Sequence, residues 1–303
     1  MSDPQMSNAQ SSALFKRSLS RFVRFRAEGP PAYGMLLDEE QIREIRGDLF
    51  GKWEATERVH QLAQRKLLYP CDPPKIFAVG RNFKSHIGDK RPPTRPEIFF
   101  KPISALQNPE DPIIIPRGAE NVHFEGELVL VIGKAAKGVS VEEAREVIFG
   151  VTCGNDVSER DWQIGPDRDL QWWRAKGADT FAPLGPILVR GLDYSNLLLR
   201  TRLNGATVQE QSTSDMFFDP PTIVSCISQY VTLTPGDVIY TGTPGTTQRM
   251  SPGDVVEVEI EGIGTLRNPV VGADDAFKGR FLLSQEAQLR VRPSRIQLRR
   301  GNP

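Results

Sequence analysis

From Arg21 to Arg46 apolar and polar positions alternate in three short runs, RFVRFR, AYGMLL and QIREIR, with turn signals at EGPP and DEE between them. A period of two marks strands with one buried face, so this region is predicted as an antiparallel meander. KWEATERVHQLAQRKLL loses that alternation and is expected to be helix or loop. The proline-rich YPCDPPK, Tyr69 to Lys75, reads as a linker and sets the domain boundary. KIFAVG, EIFFKP and PIIIP follow as short apolar strands, with GRNFKSHIGDK as a short helix or loop after the first. VHFEGELVLVIGK, Val122 to Lys134, reads as one strand, apolar on both faces from Leu128 to Ile132. Such a strand is covered on both sides.

SVEEAREVIFG carries a capping box, Ser140 with Glu143 three residues on, and an apolar stripe of Val141, Ala144, Val147 and Ile148. It is predicted as a helix. VTCGNDVSERDWQ is expected to end in a charged, aromatic loop, and APLGPILV to form a strand. Asn204-Gly205 inside LLLRTRLNGATVQEQSTS signals a tight hairpin. PTIVSCISQYVTL reads as a helix ended before Pro235. TPGDV and SPGDV, starting at Thr234 and Ser251, each suit a type II turn feeding a strand, and VVEVEIEGIGTLRNPVV suits a final strand pair. Strands outnumber helices without βαβ alternation, which predicts a β-rich α+β fold, a mixed roll or sandwich beside a small N-terminal β-meander domain. The expected organisation is a disordered tail over 1–20, the small domain over 21–72, the main domain over 73–272 and a basic, irregular tail over 273–303.

Charge adds an exclusion. Lys+Arg and Asp+Glu both number 38, so no surplus attracts nucleic acid. No apolar run approaches the ~20 residues that cross a bilayer. Three scattered cysteines, Cys71, Cys153 and Cys226, suit idle thiols in a reducing, cytoplasmic compartment. The first residues lack a secretory apolar core, and Asp3 and Pro4 count against a mitochondrial leader. With only His60, His86 and His123 present, a polyhistidine zinc site is nearly excluded.

Candidate chemistry begins with the charges in the core strand. Residues i and i+2 of a strand share a face, so Glu125 and Glu127 project together about 7 Å apart along it. Three readings compete: salt-bridged surface acids, an acid/base pair as in glycoside hydrolysis, or a site for a hard cation. Asp156 in GNDVSERD, expected at the end of another strand, tips the balance. Two glutamates and this aspartate could make an all-oxygen triad, suited to Mg²⁺ or Mn²⁺ and leaving positions for water and a chelating substrate. Asp156 by itself would more commonly cap a loop.

VGRNFKSH, HFEGELVLVIGK, NDVSERDWQ, KGADTFAPLGP and GDVIYTGTPGT together resemble the fumarylacetoacetate hydrolase family, from about Pro73 to Val271. Residues 21–72 resemble the small N-terminal domain that many members carry. The resemblance implies a mixed β-roll, a Mg²⁺ or Mn²⁺ cofactor and a homodimer. It implies Glu125, Glu127 and Asp156 as metal ligands. His86 matches the family's catalytic histidine, which works with a glutamate three residues later; here that position is Asp89, one methylene shorter. Lys176 matches a lysine that contacts the substrate or its developing oxyanion. Arg160 and Gln163 match positions lining the site, and Thr243 matches a donor to the substrate carboxylate. Arg81, beside a strand end, is a further candidate for that contact.

The expected partner is a small 2-oxo acid, with no nucleic acid and no membrane. A cation chelated by its carboxylate and keto oxygens would stabilise an enolate. The first expectation is C–C bond hydrolysis of an acylpyruvate-type diketo acid, with His86 activating water. The alternative is isomerisation, tautomerisation or decarboxylation of a 2-oxo dicarboxylate such as oxaloacetate. A second alternative is a non-catalytic relative that binds a small acid. QIGPDRDLQWWRAKG is expected to act as a mobile lid.

Overall fold

The computed structural model describes residues 19–279. Four strands open it as a meander: β1 (Ser20–Phe25), β2 (Ala32–Leu36), β3 (Gln41–Gly47) and β4 (Trp53–Gln61). The fourth corrects the expectation of helix or loop. Strand β4 is a sheet edge with most side chains exposed or half-buried, so no apolar alternation advertises it; pairing with β3 decides its conformation. After the short β5 (Leu67–Leu68) come β6 (Ile76–Gly80), the one-turn helix α1 (Lys84–Ile87), β7 (Glu97–Lys101), β8 (Leu106–Gln107) and β9 (Ile113–Ile115).

The expected single strand from Val122 to Lys134 is two: β10 (Val122–His123) and β11 (Gly126–Ile132). The break at Phe124 and Glu125 follows from a change of partner. β10 pairs with β13 (Ser158–Glu159), whereas β11 lies between β12 (Ile148–Asn155) and β17 (Val238–Tyr240). The capping box starts α2 (Val141–Val147) as predicted. Its stripe is narrower than expected: Ala144 and Val147 are buried, Val141 is exposed, and Ile148 already belongs to β12. Residues expected as the loop end of NDVSERDWQ form α3 (Arg160–Ile164), because Glu159 caps it by accepting from Trp162 N–H at 2.7 Å.

β14 (Ala182–Arg190), the hairpin β15 (Leu198–Leu203) and β16 (Ala206–Ser212), and α4 (Pro220–Tyr230) follow as read. Asn204 and Gly205 both have positive φ, 52° and 83°, as a type I′ turn demands. The two PGD turns recur as a pair. Asp237 accepts from Thr234 N–H and Asp254 from Ser251 N–H, both at 2.7 Å, ahead of β17 and β18 (Val255–Ile260). β19 (Gly264–Gly272) is followed by α5 (Ala273–Gly279), a helix where irregular tail was expected. The remainder of that tail and the N-terminal stretch before Leu19 lie outside the described residues.

One twelve-stranded mixed sheet has the main order β4-β3-β2-β1-β14-β12-β11-β17-β6-β7, and a five-stranded sheet has the order β16-β15-β18-β19-β9. Strand β11 is buried at every position. Its Leu128, Leu130 and Ile132 enter one core with α2, α4 and the five-stranded sheet, while Val129 and Val131 enter another with Phe22, Ile76 and Tyr240. The fold is therefore β-rich α+β, as predicted.

Candidate active site

The acids converge at the break, where the start of β11 lies beside the end of β12. Gly126 pairs with Asn155 and Glu127 with Gly154. Glu125 lies in the break, yet it stays registered: its N–H donates to Asn155 Oδ1 and its carbonyl accepts from Asp156 N–H, both at 2.9 Å. Ligand atoms of Glu125, Glu127 and Asp156 come within 4.8 Å of one another, and all three residues are buried. Gly126 is required between the two glutamates. A Cβ there would lie 2.1 Å from Thr201 Oγ1 of β15, which packs directly on it.

Three cations surround the acids. Lys176 Nζ bridges Glu125 Oε2 at 2.6 Å and Asp156 Oδ2 at 2.7 Å. Lys101 Nζ, from the end of β7, is paired with Asp156 Oδ1. Arg160 Nη2 donates to Glu125 Oε1 at 2.5 Å, and its Nη1 donates to Gln163 Oε1 at 2.7 Å. Burial opposes the charge on Glu125, but Arg160 and Lys176 outweigh it and hold the carboxyl well below its usual range. Glu127 is the opposite case. Burial, then repulsion from Asp156 and Glu125, pushes it well above the usual range, and it accepts from the neutral Gly242 N–H at 2.7 Å.

The two lysines diverge for a related reason. Burial lowers Lys101, which has one carboxylate and is repelled by Lys176. Burial also opposes Lys176, but two carboxylates overcome it and raise the group. Among the described residues Glu127 forms no ion pair, and the attraction of Lys176 does not offset its burial; a divalent ion would fill that deficit. All the ligand atoms are oxygens and each retains lone-pair capacity, so the residues fit Mg²⁺ or Mn²⁺.

His86, in α1, is half-buried and within electrostatic reach of Glu125. Its Nδ1 lies 2.6 Å from the Gly245 carbonyl. A carbonyl only accepts, so Nδ1 carries a proton and Nε2 is the nitrogen left for chemistry. Asp89 is exposed, and the orienting bond to the ring is made by Gly245 instead. Thr243 is buried, with its hydroxyl donating to Gly126 C=O at 2.9 Å and accepting from Gln209 at 3.0 Å. Arg81 turns to Glu97 and to the Arg91 carbonyl. Phe99 lies over Lys176 Nζ at 5.2 Å, and Trp172 meets Phe99 edge-on.

Sequence reading missed Lys101, His123, Gln209 and Thr247. Lys101 gave one signal, a lysine closing an apolar strand. His123 gave another, since it stands two positions before Glu125. Its Nδ1 lies 2.9 Å from Thr247 Oγ1 and its Nε2 2.8 Å from Asn121 Oδ1. Burial, then Arg160, pushes the ring down to about 4.

A β-rich fold with a buried all-carboxylate centre, flanked by lysines, an arginine and a half-buried histidine, defines a class of enzymes with a metal-type acidic site. The fumarylacetoacetate (FAA) hydrolase C-terminal family model matches residues 75–271, and an Rv2993c-like, N-terminal model matches residues 20–70. The chain belongs to the fumarylacetoacetate hydrolase family. It is 48% identical over 238 residues to Protein Rv2993c of Mycobacterium tuberculosis, covering 77% of this chain and 89% of that one. It is 38% identical over 231 residues to oxaloacetate tautomerase fahd2, mitochondrial, of Xenopus laevis, covering 72% of each. The crystal structure of 2-hydroxyhepta-2,4-diene-1,7-dioate isomerase from Mycobacterium marinum superposes with a TM-score of 0.78 at 43% identity, covering 84% of this chain and 99% of that one.

Proposed function

We propose that the protein is a divalent-metal-dependent tautomerase or isomerase that moves a proton on a small 2-oxo dicarboxylate of the oxaloacetate kind. The observation that carries this reading is His86 beside the carboxylate centre, with Nδ1 held by a backbone carbonyl and Nε2 free to exchange a proton. A bound Mg²⁺ or Mn²⁺, held by Glu125, Glu127 and Asp156, would supply Lewis-acid polarisation of the keto group.

His86 Nε2 takes the proton from the carbon next to the keto group and returns it to the substrate. Lys176 stays protonated between two carboxylates and donates toward the oxygen on which charge develops. Arg160, oriented by Gln163, has two of its five N–H groups left for the distal carboxylate. Thr243 contributes through its main chain, since its hydroxyl is committed to protein. Arg81 is held by Glu97 and takes no part. Names of two similar proteins, an oxaloacetate tautomerase and a dienedioate isomerase, support proton transfer.

The hydrolytic alternative calls for a strong base toward water, ordinarily a histidine backed by a carboxylate. Asp89 is exposed, and the Gly245 carbonyl holds the ring, which favours proton transfer over water attack. Metal-stripped protein resupplied with Mg²⁺ or Mn²⁺ should speed keto–enol exchange of oxaloacetate, followed by NMR. His86→Ala should slow it about 100-fold or more. Release of pyruvate and a free acid from acetylpyruvate would move the protein to the hydrolase branch. Exchange that is as fast without metal would sink the reading.

A further inference from the structure

The bonds around His123 have only one consistent polarity. Asn121 Nδ2 donates to Asp161 Oδ1 at 3.0 Å, which turns the Asn121 amide oxygen toward the imidazole. That oxygen accepts, so His123 Nε2 is the protonated nitrogen and Nδ1 is bare. Thr247 must then give its hydroxyl proton to Nδ1. Its oxygen is left to accept, and Arg160 Nη2 donates to it at 2.8 Å. The other Nη2 proton goes to Glu125 Oε1. Donation therefore runs from Arg160 through Thr247, His123 and Asn121 to Asp161.

Chain geometry reinforces the relay. His123 forms an isolated antiparallel bridge with Arg249, and Val122 C=O accepts from Met250 N–H at 2.7 Å, which fixes the Thr247 loop against β10. Arg160 N–H donates to Asn121 C=O at 3.0 Å, so the start of α3 is tied to the same strand. The same loop holds His86 through Gly245, two residues before Thr247.

We propose that His123 is a positioning residue for Arg160, acting through Thr247 to fix Nη2, both of whose protons are given to protein, and with it the direction of the free Nε and Nη1 protons. With a bare nitrogen behind it, the threonine hydroxyl presents a lone pair to Arg160. Without that acceptor the hydroxyl proton has no fixed direction and competes for the side facing Nη2, which loosens its second anchor. The inference rests on the reading of Arg160 as a substrate-carboxylate contact.

Three variants separate hydrogen bonding from packing. His123→Asn keeps an acceptor close to the Nδ1 position, His123→Phe keeps a ring without one, and Thr247→Val removes the intermediary. On the Mn²⁺-loaded protein, His123→Phe and Thr247→Val should each raise KM for oxaloacetate and weaken calorimetric binding of malate, a non-reacting analogue that keeps the distal carboxylate, about threefold to tenfold, the weight of one hydrogen bond. Their kcat should change less than twofold, and His123→Asn should restore most of the affinity. The double variant should lose no more than either single one, because both cut the same relay. If His123→Phe fails to fold, Thr247→Val against Thr247→Ser carries the comparison. Equal affinities for the Phe and Asn variants, or additive losses in the double variant, would overturn the proposal. Arg160→Leu guards the premise. Were it to leave malate affinity unchanged, the substrate-contact reading would fail; were it alone to weaken malate, only the role of His123 would.

Discussion

At the scale of the residue, the site depends on small side chains as much as on charged ones. Gly126 separates the two glutamates and has Thr201 of β15 pressed on its α-carbon. Gly126→Ala should destabilise the protein by about 1–3 kcal/mol, the usual cost of overpacking, and spread Glu125 from Glu127. Thermal melts should show the first effect and Mn²⁺ calorimetry the second; unchanged Mn²⁺ affinity would show the spacing is tolerant. The acids themselves were legible in the sequence, because charge in an apolar strand demands an explanation. Lys101 was not, although it is fully buried against Asp156. A lysine at a strand end is normally solvated, and only the fold reveals that this end points inward. Thr247 and Gln209 were hidden for a different reason: polar loop and hairpin residues carry no local sign of the long-range partner they bind.

At the scale of the element, strands and turns with strong local chemistry were read correctly. Asn204-Gly205, the capping box of α2 and the paired PGD turns each state their geometry within four residues. Failures fell where a partner decides. Edge strand β4 lacks a buried face, and the break before β11 exists because β10 and β11 pair with different strands. The segment expected as a lid gives a further test. Asp169 accepts from Arg174 N–H, Arg174 Nε and Ala175 N–H at 2.8–3.1 Å and staples the loop after α3. Its carboxyl is lowered: burial opposes ionisation, and these donors outweigh it. Asp169→Ala should loosen residues 165–175, with cleavage there by a broad-specificity protease rising several-fold in limited digestion. Equal digestion of variant and wild type would mean the loop is held by Trp172 on Phe99 and Trp162 under Arg174.

At the scale of the whole molecule, the carboxylates sit on or directly beside the ends of the central strands β11 and β12, so cation binding and global stability are one equilibrium. An ion that binds only the folded chain adds about 2.7 kcal/mol at a hundredfold excess over Kd, or roughly 5–10 °C in Tm. Wild-type protein should show that rise with Mn²⁺. Glu127→Gln should lose it, while its metal-free Tm stays level or climbs about 2 °C, because the variant no longer buries an ionisable carboxyl that Asp156 and Glu125 repel. A full Mn²⁺ response in Glu127→Gln would remove Glu127 from the ligand set. The sheet order has one more consequence, for biosynthesis. β1 is hydrogen-bonded to β14, with Phe22 opposite Leu188, so the first strand described is completed by one of the last large ones. On a ribosome adding ~5–20 residues per second, the meander waits on the order of ten to thirty seconds for that neighbour. During that interval Phe22, Val23 and Phe25 can pack only on meander residues such as Ile42, Ile45 and Trp53, without Leu188 and Val189, and the nascent chain is a natural client for a chaperone that shields apolar strands.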